Sequence, residues 1–104
     1  MAAPYNPPVK NEDFVCYISL RSAADSLSFK SSPTIAAGDF KVSKDGGALA
    51  NLTTLPVVEP ASSVMVKISL SATEMNADNV TIVAIDQTTD KEWADYVLNI
   101  VTTA

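Results

Sequence analysis

Histidine is absent from this chain of 104 residues, and cysteine occurs once, as Cys16. The missing histidine removes the most common general base and the most common protein metal ligand. A lone cysteine cannot form a disulfide within the chain, and its apolar neighbours favour a buried side chain over a reactive thiol. We therefore expect neither an enzyme nor a bound cofactor or metal.

Basic residues are scarce as well: seven Lys and Arg stand against twelve Asp and Glu, for a net charge of −5. Because phosphate backbones are bound through positive charge, nucleic acid is not an expected partner. The longest apolar run, 80–85, has the length of a strand, whereas a membrane-spanning helix needs about 20 residues. The first residues lack the basic and apolar regions of a secretory signal, so we expect synthesis in a cytoplasm and no membrane partner.

Hydrophobic residues make up 47% of the chain, enough for the core of one domain of this length. Three of the six prolines lie within residues 1–12, which predicts an extended arm that does not pack on itself. The domain itself is assigned to residues 13–104.

Alternating apolar and polar residues predict strands at 14–20, 39–44, 48–52, 64–70, 80–85 and 93–101. Between the second and third strands, Asp45, Gly46 and Gly47 predict a tight hairpin turn. Two prolines restrict the segment 54–63 to an edge or a crossing loop. Six or seven short strands with almost no helix predict an all-β fold: a single antiparallel β-sandwich with immunoglobulin-like topology.

The faces of these strands predict which side chains form the core. The expected core residues are Phe14, Cys16, Ile18, Phe40, Val42, Val66, Ile68, Leu70, Val80, Ile82, Tyr96, Leu98 and Ile100. Leu27 and Phe29 are expected to turn inward from a loop, and Trp93 to anchor the core or its rim. Ser71 and Glu74 match a capping box and predict one helical turn above a core methionine, Met75.

One group of residues resembles a reactive site in composition. Asp86, Asp90, Glu92 and Asp95 cluster within ten residues, and calcium prefers such oxygen ligands. Their spacing does not fit a calcium-binding loop, and Lys91 lies among them. We interpret the cluster as a solvated turn; use of two carboxylates as an acid–base pair is the alternative.

Two longer segments carry a resemblance. Residues 33–47 read PTIAAGDFKVSKDGG, residues 70–78 read LSATEMNAD, and Trp93 and Asp95 follow as Trp-x-Asp. Together they resemble a group of small proteins and modules encoded by tailed bacteriophages and prophages, over about residues 14–102. The resemblance implies a structural component of the virion, made in the host cytoplasm, and it brings no catalytic or metal-binding residues.

Three functions are consistent with these observations. The favoured hypothesis is a non-enzymatic virion protein that binds other virion proteins, as a capsid decoration, cement or head accessory protein on the major capsid protein. A neck, tail or fibre-attachment protein is the alternative within that class, and a homo-oligomer fits either. A host-surface carbohydrate-binding module is the alternative from another class, and an enzyme is the least favoured.

The arm supplies the candidate binding residues. These are Pro4, Tyr5, Pro7, Pro8 and Val9. Prolines pre-order an extended segment, so docking costs less conformational entropy than for a Gly/Ser tail, and the tyrosine and valine offer apolar contacts. We expect the arm to dock in a groove of another polypeptide; the alternative is an arm that covers an edge strand of its own sandwich.

Overall fold

Two antiparallel sheets form the fold in the computed structural model, which describes residues 7–25 and 27–103. The strands are β1 (Phe14–Ser19), β2 (Phe40–Lys44), β3 (Ala50–Asn51), β4 (Val57–Val58), β5 (Met65–Leu70), β6 (Asn79–Ala84) and β7 (Tyr96–Val101). One sheet has the order β1-β5-β4 and the other β3-β2-β6-β7. The prediction of an all-β, antiparallel sandwich is confirmed, and the described residues include no helix.

Local signals produce the turns that connect these strands. Asp45 and Gly46 both have positive φ, at 52° and 77°, as a tight hairpin turn between β2 and β3 requires. The Gly47 amide closes the turn by donating to the Lys44 carbonyl at 2.9 Å. The segment with two prolines contributes only the two-residue edge strand β4, as predicted.

The core lies between the two sheets and follows the predicted faces. The buried apolar side chains are Leu20, Phe40, Val42, Val66, Ile68, Leu70, Met75, Ala77, Val80, Ile82, Ala84, Trp93 and Ile100. Phe14, Cys16, Ile18 and Leu98 are half-buried against this cluster. The predicted faces of β1, β2, β5, β6 and β7 are therefore correct, since a slip by one residue would have inverted them.

Tyr96 is the predicted core residue that the structure corrects. Its side chain is 37% exposed, although it lies on the same face of β7 as Leu98 and Ile100. Tyr96 is the first residue of a strand at the edge of its sheet, and there the core ends.

The expectation that Leu27 and Phe29 turn inward is wrong; both side chains are exposed. A bridge between Arg21 and Phe29, with the Lys30 amide donating to the Leu20 carbonyl, turns this segment back on itself outside the sandwich. The Arg21 guanidinium lies over the Phe29 ring, 5.6 Å from the ring centroid, and the ring does not enter the core.

Candidate functional site

The exposed aromatic side chains of the described residues, Tyr17, Phe29 and Tyr96, all line a groove between the edge strands β1 and β7. The groove has a volume of about 540 Å³. Its lining includes Tyr17, Ser19, Arg21, Phe29, Met65 and Tyr96. We call it the edge groove.

Backbone pairing just outside the two strands joins β1 to β7 beside the edge groove. Ser22 forms an antiparallel bridge with Trp93, and the Ala94 amide donates to the Arg21 carbonyl at 2.8 Å. These contacts hold the end of β1 beside the start of β7 and so bring Tyr17 and Tyr96 to one site. Tyrosine, methionine and arginine are the residue types enriched in protein interfaces. The edge groove is therefore suited to binding an apolar or aromatic segment.

Sequence reasoning missed the edge groove because its residues come from four separate segments. Tyr17 and Met65 lie on the outer face of one sheet, where they stand near each other through the pairing of Ser19 with Met65. The sequence pattern predicts interior positions for Phe29 and Tyr96. A local sequence pattern predicts a strand but not which strands of different sheets lie side by side. No signal in the sequence therefore identifies this site.

The predicted binding residues of the arm are partly placed. Pro4 and Tyr5 lie outside the described residues. Pro7 is exposed, whereas Pro8 and Val9 are half-buried and pair with the end of the chain: Val9 forms a parallel bridge with Thr103, whose amide donates to the Pro8 carbonyl at 2.9 Å. The described part of the arm thus bonds to its own domain. Docking of the preceding residues on another chain stays a prediction.

The structure disperses the carboxylate cluster that resembled a calcium site. Asp86 is buried and accepts hydrogen bonds from the amides of Thr88 and Glu92, at 3.0 and 2.8 Å. Glu92 accepts from the Thr34 amide, and Asp95 pairs with Lys91 on the surface. No three metal-ligating side chains come together within residues 7–25 and 27–103.

Asp86 is a structural carboxylate. Burial alone would raise its pKa, but the hydrogen bonds from Glu92 and Thr88 and the charge of Lys91 together lower the pKa below its ordinary value. The ionised form is therefore the one that the fold stabilises. Its role is to organise the turn 86–92 in front of β7.

The Cys16 thiol is protonated at neutral pH. Burial raises its pKa to about 11, because the low-dielectric surroundings disfavour the thiolate. A thiol in this state is a poor nucleophile, in agreement with the prediction of a small buried hydrophobe.

A second cavity, of about 360 Å³, lies beside the hairpin and is lined by Val42, Lys44, Thr53 and Glu74 among others. The buried Glu74 carboxylate accepts from the Ser71 amide with one oxygen and from the Thr53 amide with the other, both at 2.9 Å. Lys44 donates to the Thr73 carbonyl at 3.0 Å. Both charged groups are thus engaged in holding the fold. The reciprocal hydrogen bonds of the predicted capping box are present, but around a single turn, closed by the Met75 amide on the Ser71 carbonyl at 3.0 Å, that no helix continues.

Loss of the cap should be measurable. Ser71→Ala removes the hydroxyl that accepts from the Glu74 amide at 3.2 Å, and we expect the free energy of unfolding to fall by about 1 kcal/mol. Urea unfolding followed by circular dichroism measures this. Ser69→Ala, two residues earlier in β5, is the control and should have a smaller effect; equal effects of the two variants would contradict a capping role for Ser71.

The two-sheet fold and the edge groove together define a class of protein: a small β-sandwich with an aromatic groove between two of its edge strands. No family model, curated protein or solved structure matches the chain. None of the described residues belongs to a helix long and apolar enough to cross a membrane.

Proposed function

We propose that this protein is a non-enzymatic structural component of a bacteriophage virion that binds another virion protein, the major capsid protein by preference. The observation that carries the binding role is the edge groove. Its exposed Tyr17, Phe29 and Tyr96 side chains form one surface with Met65, and a surface of this kind is typical of protein recognition. The phage origin is supported by the resemblance of residues 33–47 and 70–78.

The fold proposed for this role is immunoglobulin-like. The sheet orders β1-β5-β4 and β3-β2-β6-β7 support it, since they match the B-E-D and C′-C-F-G orders of that topology. The parallel bridge of Val9 with Thr103 places this part of the arm beside the residues that follow the last strand.

Incorporation into particles tests the role of the edge groove. Phe29→Ser removes an exposed aromatic side chain from the groove, and we expect the variant to fold normally but to bind particles about tenfold or more weakly, as for an interface hot spot. Leu49→Ser is a matched control, because Phe29 and Leu49 are both 51% exposed and Leu49 lies at the hairpin, away from the groove. Equal incorporation of both variants and the parent would contradict the proposal.

Imaging of the particle tests the location. Electron cryomicroscopy of particles with and without the protein should show the difference density on the head. Density lost at the neck, tail or fibre instead would favour the alternative location, and unchanged particles would contradict a virion role altogether.

A truncation separates the contribution of the arm. Deletion of residues 2–6 leaves in place the bonds of Pro8 and Lys10 to Thr103. If the arm docks on another virion protein, the shortened protein keeps its melting temperature and loses incorporation. If it covers an edge of its own sandwich, the melting temperature falls while incorporation persists.

Carbohydrate binding is the second candidate. Sugars stack on exposed aromatic rings, and the edge groove presents two tyrosines and a phenylalanine within one surface. A glycan array probed with the parent protein and the Phe29→Ser variant distinguishes the two functions: a signal that the variant loses would favour the carbohydrate module, and the absence of any signal would dispose of it.

A further inference from the structure

The edge groove carries a single formal charge, and that charge is positive. Among the described residues that line the groove, only Arg21 is charged. The others are aromatic, apolar or hydroxyl-bearing: Tyr17, Ile18, Ser19, Phe29, Met65 and Tyr96. The chain as a whole has a net charge of −5. Because a guanidinium stays protonated throughout the physiological range of pH, the groove is a permanently positive site on an acidic protein.

Two acidic side chains lie close in sequence to residues of the groove, and both have partners elsewhere. Asp95 pairs on the surface with Lys91 at 3.1 Å. Asp25 accepts from the Leu27 amide and from the Ser28 hydroxyl, both at 3.0 Å. Neither carboxylate lines the groove. An incoming chain therefore meets a positive charge with no acidic side chain in the same lining.

Backbone pairing fixes Arg21 at one end of the edge groove. The residue follows Ser19 on the same side of the chain, since Leu20 between them is fully buried. The Arg21 carbonyl accepts from the Ala94 amide at 2.8 Å, and the residue forms an antiparallel bridge with Phe29. The cation–π contact with the Phe29 ring restrains the guanidinium and leaves its charge in place.

The spacing of the lining residues matches an extended segment. Tyr17, Ser19 and Arg21 occupy alternate positions on one side of the chain. At about 3.3 Å per residue, the row from Tyr17 to Arg21 is about 13 Å long, which is the span of five extended residues. Met65 lies opposite Ser19 in the neighbouring strand. The row therefore offers aromatic and apolar contacts along its length and a positive charge at one end.

We propose that the edge groove binds an extended acidic segment of its partner, with a carboxylate on Arg21 and apolar side chains against Tyr17, Met65 and Tyr96. The inference rests on the proposed function, because it takes the occupant to be a virion protein, and it adds the chemistry by which the groove selects that occupant. Arginine binds a carboxylate through two parallel N–H···O bonds, so the pair sets the register of the bound segment as well as its affinity.

Other occupants fit the groove less well. A phosphate backbone is bound through several cations, whereas the lining of the groove holds one and the chain has a net charge of −5. Two copies that met groove to groove would set one Arg21 against the other, and juxtaposed like charges oppose association. The described contacts of the arm are elsewhere: Pro8 and Val9 pair with Thr103, beyond one end of β7, whereas Tyr96 begins the other end.

Binding of the purified protein to immobilised particles that lack it, followed by surface plasmon resonance at two salt concentrations, tests the role of Arg21. Arg21→Gln should bind about tenfold or more weakly than the parent at about 50 mM NaCl, as for an arginine hot spot. The difference should shrink at about 500 mM NaCl, because salt screens an exposed charge pair and not an apolar contact. Arg21→Lys keeps the charge and loses the two-bond geometry, so its affinity should lie between those of the other two.

Lys41→Gln is the matched control. It makes the same change in net charge on β2, in the other sheet and outside the groove, and should bind like the parent at both salt concentrations. Circular dichroism and the melting temperature of each variant establish that it is folded. If Arg21→Gln does not fold, the comparison of Arg21→Lys with the parent makes the same test.

Three results would overturn the acidic occupant while the virion role stands: equal binding of the Arg21 variants and the parent, a difference that salt leaves unchanged, or an equal loss in Lys41→Gln, which would assign the effect to net charge. A parent protein that binds particles at neither salt concentration would overturn the proposed function and this inference with it. The two failures are therefore distinguishable, because only the second involves the parent.

Discussion

Replacing Trp93 with alanine is expected to unfold much of the protein at physiological temperature. Trp93 is fully buried, its ring centroid lies 5.8 Å from that of Phe40, and its indole Nε1 donates to the Thr34 carbonyl at 3.2 Å. Truncation of a buried tryptophan costs about 3–5 kcal/mol. A small domain has a free energy of unfolding of about 5–15 kcal/mol, so at the lower end of that range little stability would remain.

Urea unfolding followed by far-UV circular dichroism measures this loss, since the variant lacks the only tryptophan of the chain. Trp93→Phe is the matched variant: it keeps an aromatic ring against Phe40 and loses the indole donor, and should lie between the parent and the alanine variant. A loss of less than about 1 kcal/mol in Trp93→Ala would contradict the central position of this side chain.

The second large effect is expected at Asp86. Asp86→Ala leaves the amides of Thr88 and Glu92 without their acceptor, and a buried donor left unsatisfied costs about 1–3 kcal/mol. The whole turn 86–92 depends on this carboxylate, so we expect a loss of about 2–4 kcal/mol at neutral pH.

The effect of Asp86 should depend on pH in one direction. The pKa of this carboxyl is lowered in the folded protein, so its ionised form contributes stability above the ordinary pKa of about 3.8. That contribution is lost as the pH falls through the lower, folded-state pKa. The difference in free energy of unfolding between the parent and Asp86→Asn, an isosteric uncharged variant, should therefore shrink in acid.

Urea titrations at neutral pH and at about pH 3 measure that difference. Asp90→Asn is the control, because Asp90 is exposed on the same turn and no hydrogen bond to its carboxylate is seen among the described residues. A difference that stays constant with pH, or a control that changes as much as Asp86→Asn, would contradict the stabilising role of the Asp86 charge.

The site shows where sequence reasoning ends. A carboxylate cluster was recognised around Asp86 and Glu92, but their partners, the amides of Glu92 and Thr34, depend on how the turn folds back. Asp39 is also buried, accepting from the amides of Ala36 and Gln87, and nothing in its strand pattern predicts this. A buried carboxylate that accepts hydrogen bonds from loop amides cannot be predicted from hydrophobic periodicity, because loops have no such periodicity.

What the sequence determined by itself is local. The alternation of Val66, Ile68 and Leu70 specifies both a strand and its buried face, since side chains alternate with a period of two. Asp45 and Gly46 specify the hairpin because they accept positive φ, and Ser71 with Glu74 specifies the cap because each satisfies an amide of the other.

Only the tertiary structure decided that β1 and β7 stand at the edges, whereas two prolines already restricted the segment of β4 to an edge or a loop. The order β3-β2-β6-β7 leaves one side of β7 outside its sheet, and the order β1-β5-β4 does the same for β1. Pairings such as Cys16 with Ile68 are contacts between distant segments, and alternation alone permits several partners for each strand. The edge groove and the exposure of Tyr96 both follow from that choice, because each depends on which segments of the chain become neighbours in space.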